Sequence, residues 1–118
     1  MKVEITGIHF DVSERLKNYI EKKITGLDKY VARRGRESAR AEVKLKESKS
    51  KDKKEYTCEV ILFLPGENIE AKDSTVNMFA AVDIVEAKLR TQLKKYKDLH
   101  GNPKLHRRLI NRFRSDLE

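Results

Sequence analysis

The chain has 118 residues, 39% charged and 38% hydrophobic, which is enough for one domain with a thin core. Its formal net charge of +8 predicts attraction to a polyanion. A lone cysteine, Cys58, excludes an intramolecular disulfide, and no stretch has the apolar character of a signal peptide or membrane span. We therefore expect a cytoplasmic protein with no membrane partner.

The first part of the chain predicts a strand followed by a long helix. Residues 2–5 alternate between polar and apolar, and Gly7 ends this strand. Ser13 is placed to cap the helix. Gly26 is expected to bend or shorten the helix, because glycine costs about 1 kcal/mol there relative to alanine. The apolar stripe of the helix comprises Leu16, Tyr19, Ile20, Ile24, Leu27, Tyr30 and Val31.

Three further strands are predicted in the middle of the chain. Residues 39–47 alternate cleanly, residues 56–64 are the most apolar stretch, and residues 69–73 form a short returning strand. A basic turn at residues 33–38 precedes them. A polar, lysine-rich loop at residues 48–55 is expected at the first hairpin, and residues 65–68 supply the second turn.

Residues 77–98 predict a second long helix whose two halves differ in character. Asn77 or Thr75 can cap it, and the sequence "GNP" at residues 101–103 is expected to end it. The buried stripe comprises Met78, Val82, Val85, Leu89, Leu93 and Tyr96. Cations flank this stripe, with Arg90, Lys94 and Lys97 on one side and Lys88 and Lys95 on the other.

The element order β-α-β-β-β-α predicts an α/β (α+β) two-layer sandwich with a four-stranded mixed sheet. A right-handed crossover makes the first two strands parallel, and the remaining strands form an antiparallel meander. Each helix has one apolar stripe, so both should pack on one face of the sheet. Residues 1–100 form this domain. Residues 101–118 form a basic C-terminal tail, either a short helix or disordered.

Catalytic chemistry has little support in the sequence. The three histidines share no metal-ligand spacing with each other or with Cys58, and no glycine-rich phosphate loop occurs. Cys58 falls on the inward face of the most apolar strand and is expected to be a buried structural thiol. We therefore expect no enzyme activity, no metal, no cofactor and no small-molecule substrate.

The positive charge is concentrated in one region. Between Lys88 and Arg114, ten basic residues accompany one acid, Asp98. A solubilising surface normally mixes both signs, so this segregation favours nucleic-acid binding over a merely solvated face. Exposed aromatic residues are scarce, which predicts recognition mainly through phosphates and a strong dependence on salt. Folded RNA suits such a surface better than sequence-specific DNA.

Two stretches resemble the ribosome hibernation-promoting factor family, also called ribosome-associated inhibitor A or sigma-factor modulation protein. They are "ITGIHFDVSERLKNYIEKKITGLDKY" at residues 5–30 and "NMFAAVDIVEAKLRTQLKKYKD" at residues 77–98. The resemblance covers roughly residues 1–100 and implies the same β-α-β-β-β-α fold. It also implies binding to the small ribosomal subunit and its rRNA, occlusion of the mRNA and tRNA channel, and translation inhibition with ribosome hibernation under stress.

The resemblance further implies which side chains contact rRNA. The expected rRNA-binding residues are those at positions that match the family, together with neighbouring cations. They are Lys22, Lys23, Lys29, Lys88, Arg90, Gln92, Lys94, Lys95 and Lys97. We expect these side chains to be exposed, so reversing the charge of Lys88 and Lys95 should abolish ribosome binding with thermal stability nearly unchanged.

Other interpretations of the sequence remain open. The protein is expected to be monomeric off the ribosome. One alternative function is a non-ribosomal structured-RNA-binding module of dsRNA-binding-like shape. A second alternative is a protein-binding regulator of transcription.

Overall fold

The structure, a computed structural model, describes residues 1–101, without the side chains at positions 33, 34, 100 and 101. The elements of this part of the chain are β1 (Lys2–Ile8), α1 (Glu14–Thr25), a 3-10 helix (Gly26–Tyr30), α2 (Arg33–Arg36), β2 (Arg40–Ser50), β3 (Lys53–Leu64), β4 (Glu67–Thr75) and α3 (Met78–Gly101). Apart from Gly101, the predicted basic tail lies outside the described residues.

The four strands form one sheet in the order β1-β2-β3-β4. β1 runs parallel to β2, with Lys2 opposite Arg40, whereas β2–β3 and β3–β4 are antiparallel. A parallel pair requires a crossover connection, and α1, the 3-10 helix and α2 supply it. The predicted two-layer β-α-β-β-β-α sandwich with a mixed sheet is confirmed, and α2 adds a single helical turn.

The core lies between one face of the sheet and the two long helices. Its principal residues are Leu16, Ile20 and Ile24 of α1, Val43, Leu45, Val60 and Leu62 of the central strands, and Val82, Val85, Leu89 and Leu93 of α3. Among the described residues no polar or charged residue is buried as a whole. The cations of residues 1–99 whose side chains are described therefore stay at the surface, where they can meet a partner.

Both long helices begin at side-chain caps. The Ser13 hydroxyl accepts a hydrogen bond from the backbone N–H of Leu16 at 3.2 Å. The Asn77 carbonyl oxygen accepts from the N–H groups of Phe79 and Ala80 at 2.8 and 3.3 Å. These bonds satisfy N–H groups that lack a partner in the first turn of a helix. Of the two caps predicted for α3, Asn77 is the one used.

Gly26 marks the end of α1, as expected from its low helix propensity, and the chain continues as a tighter 3-10 helix. The end of this segment is braced by Arg36, whose Nε donates to the carbonyl oxygens of Asp28 and Val31 at 3.0 and 2.9 Å. The sequence predicted only a turn at residues 33–38. The short helix α2 stands there instead and brings Arg36 back onto the 3-10 helix.

The prediction of a loop at residues 48–55 is wrong, because the two paired strands continue almost to the tip of the hairpin. Ser48 pairs with Glu55 and Ser50 with Lys53, which leaves only Lys51 and Asp52 as the turn. Both turn residues have positive φ, 48° and 66°, and such a turn matches the right-handed twist of the flanking strands. The side chains near this turn are polar and exposed. The sequence therefore lacks the alternation of polar and apolar residues that would have predicted the backbone pairing.

Candidate nucleic-acid interface

Side-chain contacts between α1 and α3 place the polar faces of these helices next to each other. The Tyr19 hydroxyl donates a hydrogen bond to Asp83, and the Lys23 ammonium lies 3.6 Å from the same carboxylate. The Tyr19 ring also contacts Phe79 edge-to-face, with 5.2 Å between centroids. The hydrogen bond to Asp83, followed by burial, raises the pKa of Tyr19, so the hydroxyl keeps its proton at neutral pH.

Beside these contacts lies a groove of about 430 Å³, here called the interhelical groove. Its lining residues are Tyr19, Lys22, Lys23, Gly26, Leu27, Lys29, Tyr30, Glu86 and Arg90. The lining thus contains four cations and one carboxylate. The four cations all belong to the predicted rRNA-binding set, and the fold brings them together from α1, the 3-10 helix and α3.

Three of the groove cations have a defined position. Arg90 lies 3.7 Å from Glu86, one helical turn before it, and the Glu86 side chain is only 14% exposed. Lys23 lies over the Tyr19 ring and Lys29 over the Tyr30 ring, 5.6 and 5.3 Å from the ring centroids. Cation–π contacts of this kind hold the ammonium groups near the aromatic rings without neutralising their charge.

On the opposite flank of α3, Lys88 and Gln92 contact the edge strand β4. The Lys88 ammonium donates to the carbonyl oxygen of Lys72 at 3.1 Å and lies 3.7 Å from Asp73. The Gln92 side-chain amide donates to the carbonyl oxygen of Glu70 at 3.0 Å. Both side chains therefore satisfy backbone acceptors of an edge strand, a structural contact of Lys88 and Gln92 that the sequence did not predict.

The remaining predicted residues, Lys94, Lys95 and Lys97, lie in the last turns of α3 and are exposed. Within the described side chains none of them forms an ion pair, and the same is true of Lys22. An ammonium group that forms no ion pair can neutralise a phosphate at no cost in broken ion pairs. Lys97 lies one turn from the C-terminal end of α3, where the helix dipole stabilises a positive charge.

Sequence reasoning missed the aromatic and acidic parts of this surface. Tyr19 and Tyr30 were assigned to a buried stripe, but each is only partly buried and lines the groove. Glu86 was not singled out, although its position four residues before Arg90 is a recognisable signal for an ion pair. The contact of Tyr19 with Asp83 had no local signal, because 64 positions separate the two residues.

The outer face of the sheet differs from the helical face in its charge pattern. Arg40 stacks over the Phe63 ring at 4.2 Å and pairs with Glu42 at 3.5 Å. Lys2 and Glu4 form another exposed pair at 3.9 Å. Signs alternate on this face, which is the pattern of a solvated surface, and the segregated cations lie on the helices.

The described residues offer no arrangement typical of metal or covalent chemistry. Among them no group of three or more His, Cys, Asp or Glu side chains is placed to hold a metal ion. Burial raises the pKa of Cys58 to about 12, so the thiol is not an activated nucleophile. No described helix is long and apolar enough to span a membrane.

Fold and surface together define a small two-layer α/β domain that presents clustered cations on its helical layer. The family model described as "Sigma 54 modulation protein / S30EA ribosomal protein" matches residues 3–100. The chain therefore belongs to this family, and the resemblance seen in the sequence is confirmed.

Individual relatives agree with this assignment. The chain is 33% identical over 99 residues to the ribosome hibernation promotion factor of Lactococcus lactis subsp. cremoris, covering 82% of this chain and 50% of that protein. It is 33% identical over 98 residues to the ribosome hibernation promoting factor of Azotobacter vinelandii, covering 83% and 84%. The chain thus spans half of the first relative and most of the second.

Solved structures show the same architecture. The N-terminal domain of Thermus thermophilus Protein Y superposes with a TM-score of 0.68 at 25% identity, over 81% of this chain and 99% of that one. A ribosomal subunit interface protein from Coxiella burnetii gives 0.66 at 28% identity, over 82% and 98%.

Proposed function

We propose that this protein binds the small ribosomal subunit through the cations of α1 and α3 and inhibits translation by occupying the channel used by mRNA and tRNA. The observation that carries the proposal is the set of exposed lysines on α3, Lys94, Lys95 and Lys97, which have no ion-pair partner among the described side chains. Membership of a family whose relatives are named ribosome hibernation factors supports the ribosome as the target.

The proposed inhibition is steric and needs no catalysis, cofactor or metal. The surface would contact rRNA phosphates with the groove cations Lys22, Lys23, Lys29 and Arg90 together with the α3 lysines. Phosphate contacts release condensed counterions, so affinity should fall steeply with salt concentration. Lys88 and Gln92 would contribute less than expected from the sequence, since part of their hydrogen-bonding capacity is used by β4. The protein would act in the cytoplasm, and as a monomer.

Sedimentation of the protein with purified small subunits tests this proposal. We expect comigration with vacant subunits at low salt, and displacement by saturating tRNA and mRNA because both compete for one channel. A variant with Lys44 and Lys46 changed to Gln is a matched control, since these exposed lysines lie on the outer face of the sheet. Equal binding to an unrelated RNA duplex, with no binding to subunits, would contradict the proposal and favour a non-ribosomal RNA-binding module.

A further inference from the structure

Gly26 leaves open space in the wall of the interhelical groove. Its φ of −62° and ψ of −16° are ordinary right-handed helical values, and a methyl group at its Cα would meet no atom within 4 Å. At Gly7, by contrast, such a carbon would lie 2.1 Å from the carbonyl oxygen of Phe10. The close approach of Phe10 therefore requires glycine at position 7, whereas position 26 has open space for a side chain and lies in the lining of the groove.

The groove presents chemical groups that a phosphate alone would not use. Tyr19 and Tyr30 offer aromatic rings, each with a lysine over one face, Leu27 is buried beneath the surface, and Glu86 offers a carboxylate that also pairs with Arg90. A carboxylate repels a phosphate but accepts hydrogen bonds from the amino groups of a nucleobase. Aromatic rings stack with a base of any kind. These three features suit a base, while the surrounding cations suit the phosphates on either side of it.

The volume of the groove also fits this ligand. About 430 Å³ lies within the range of small-molecule sites and leaves room for one base and part of its ribose. In a duplex the bases are stacked and paired, so their faces cannot reach side chains in a groove. Only a nucleotide in a loop, a bulge or a single strand can expose its base to Tyr19 and Tyr30.

We propose that the interhelical groove binds one unpaired nucleotide of an RNA strand. The base packs against Tyr19 and Tyr30, its amino group faces Glu86, and the flanking phosphates contact Lys22 and Lys29. Uracil lacks an amino group and binds more weakly than cytosine or adenine. The inference rests on the proposed function and adds the form of RNA that this surface recognises. That form contains a base displaced from a helix, so the protein recognises more than the backbone of a duplex.

The substitution Gly26→Leu tests the groove without changing any charge. Leucine is compatible with the backbone at this position and adds a bulky side chain to the lining of the groove, whereas Gly26→Ala adds only one carbon and is the matched control. Leucine and alanine both favour helix more than glycine does, so neither variant should unfold at a lower temperature. We expect Gly26→Leu to weaken binding to small subunits about tenfold, and Gly26→Ala to bind within about twofold of the original protein.

The salt dependence distinguishes weaker base stacking from weaker phosphate binding. Gly26→Leu should lower affinity at every salt concentration with an unchanged slope of log affinity against log salt, because the cations remain. If Gly26→Leu binds subunits as tightly as Gly26→Ala, the groove inference is wrong and the proposed function stands. If the unaltered protein does not bind subunits at all, the proposed function fails, and binding to oligonucleotides still tests the groove.

Oligonucleotides distinguish the possible sources of the nucleotide. The chain has four tyrosines and no tryptophan, so its intrinsic emission comes from tyrosine, and two of the four line the groove. A single-stranded oligocytidine should quench this emission, whereas a duplex of mixed sequence should not, and Gly26→Leu should abolish the quenching. Quenching by cytidine monophosphate alone, or equal quenching by the duplex, would overturn the assignment to an unpaired nucleotide of RNA.

Discussion

The Lys88 ammonium donates a hydrogen bond to the backbone carbonyl of Lys72 at 3.1 Å and lies 3.7 Å from the Asp73 carboxylate. Gln92, one turn further along α3, makes the equivalent contact with the carbonyl of Glu70. An edge strand presents unpaired carbonyl groups that attract other chains, and these two side chains cover that edge. Residues expected to serve RNA binding thus also hold α3 against β4.

Charge reversal at Lys88 should therefore cost stability, and charge reversal at Lys95 should not. Lys88→Glu removes the hydrogen bond and sets a second carboxylate beside Asp73, so we expect a loss of about 1 kcal/mol in the free energy of unfolding. Lys95→Glu changes an exposed side chain without a described partner and should stay within about 0.5 kcal/mol. Urea unfolding measures both values, and equal losses would contradict the structural role of Lys88.

The α3 lysines should determine how binding depends on salt. Changing any one of Lys94, Lys95 and Lys97 to Gln leaves at most one phosphate without its cation. The slope of log affinity against log salt should therefore become shallower by about 0.7 to 1 for each phosphate that is no longer neutralised. Binding to small subunits across a series of potassium chloride concentrations gives this slope. The same change at Lys44 or Lys46 should leave the slope as it is, and an equal effect there would mean that the net charge alone matters.

The contact between Tyr19 and Asp83 should be visible in an alkaline titration. Asp83 raises the pKa of Tyr19 above its ordinary value of 10.0, so Asp83→Asn should bring this pKa back down. Because the raised pKa favours the protonated phenol in the folded state, its contribution to stability is complete below pH 10 and is lost as the pH rises further. Absorbance of the phenolate follows the titration, and a Tyr19→Phe variant identifies the signal. An unchanged titration in Asp83→Asn would contradict the contact.

Cys58 should resist thiol reagents while the protein is folded. Burial, and then the charge of Glu59, raise the pKa of Cys58 to about 12, so almost no thiol is ionised at pH 8. Labelling should therefore be slow in buffer and fast in urea, where the thiol is exposed. The raised pKa stabilises the folded state up to pH 9, and this contribution disappears as the pH approaches 12. Fast labelling of the folded protein would show that the core at β3 opens readily.

Much of the fold follows from local sequence patterns. The alternation along β2 and β3 and the apolar stripes of α1 and α3 identify the faces that become the core. Ser13 and Asn77 mark the starts of the helices. The hairpin between β2 and β3 was predicted, but its two-residue turn at Lys51 and Asp52 was not, since both strands are polar on both faces near the turn and only backbone bonding extends them.

The amino-acid sequence by itself determined the order of elements, the two-layer architecture and the cationic character of the helical layer, because these depend on residues close together in the chain. Tertiary structure alone decided which cations meet. It directs Lys88 to β4, gathers Lys22, Lys29 and Arg90 around one groove, and places Gly26 in the lining of the same groove. The physical reason is that lysine and arginine side chains are long and flexible. Each one contacts an acceptor that is near in space, even where that acceptor is far away in the sequence.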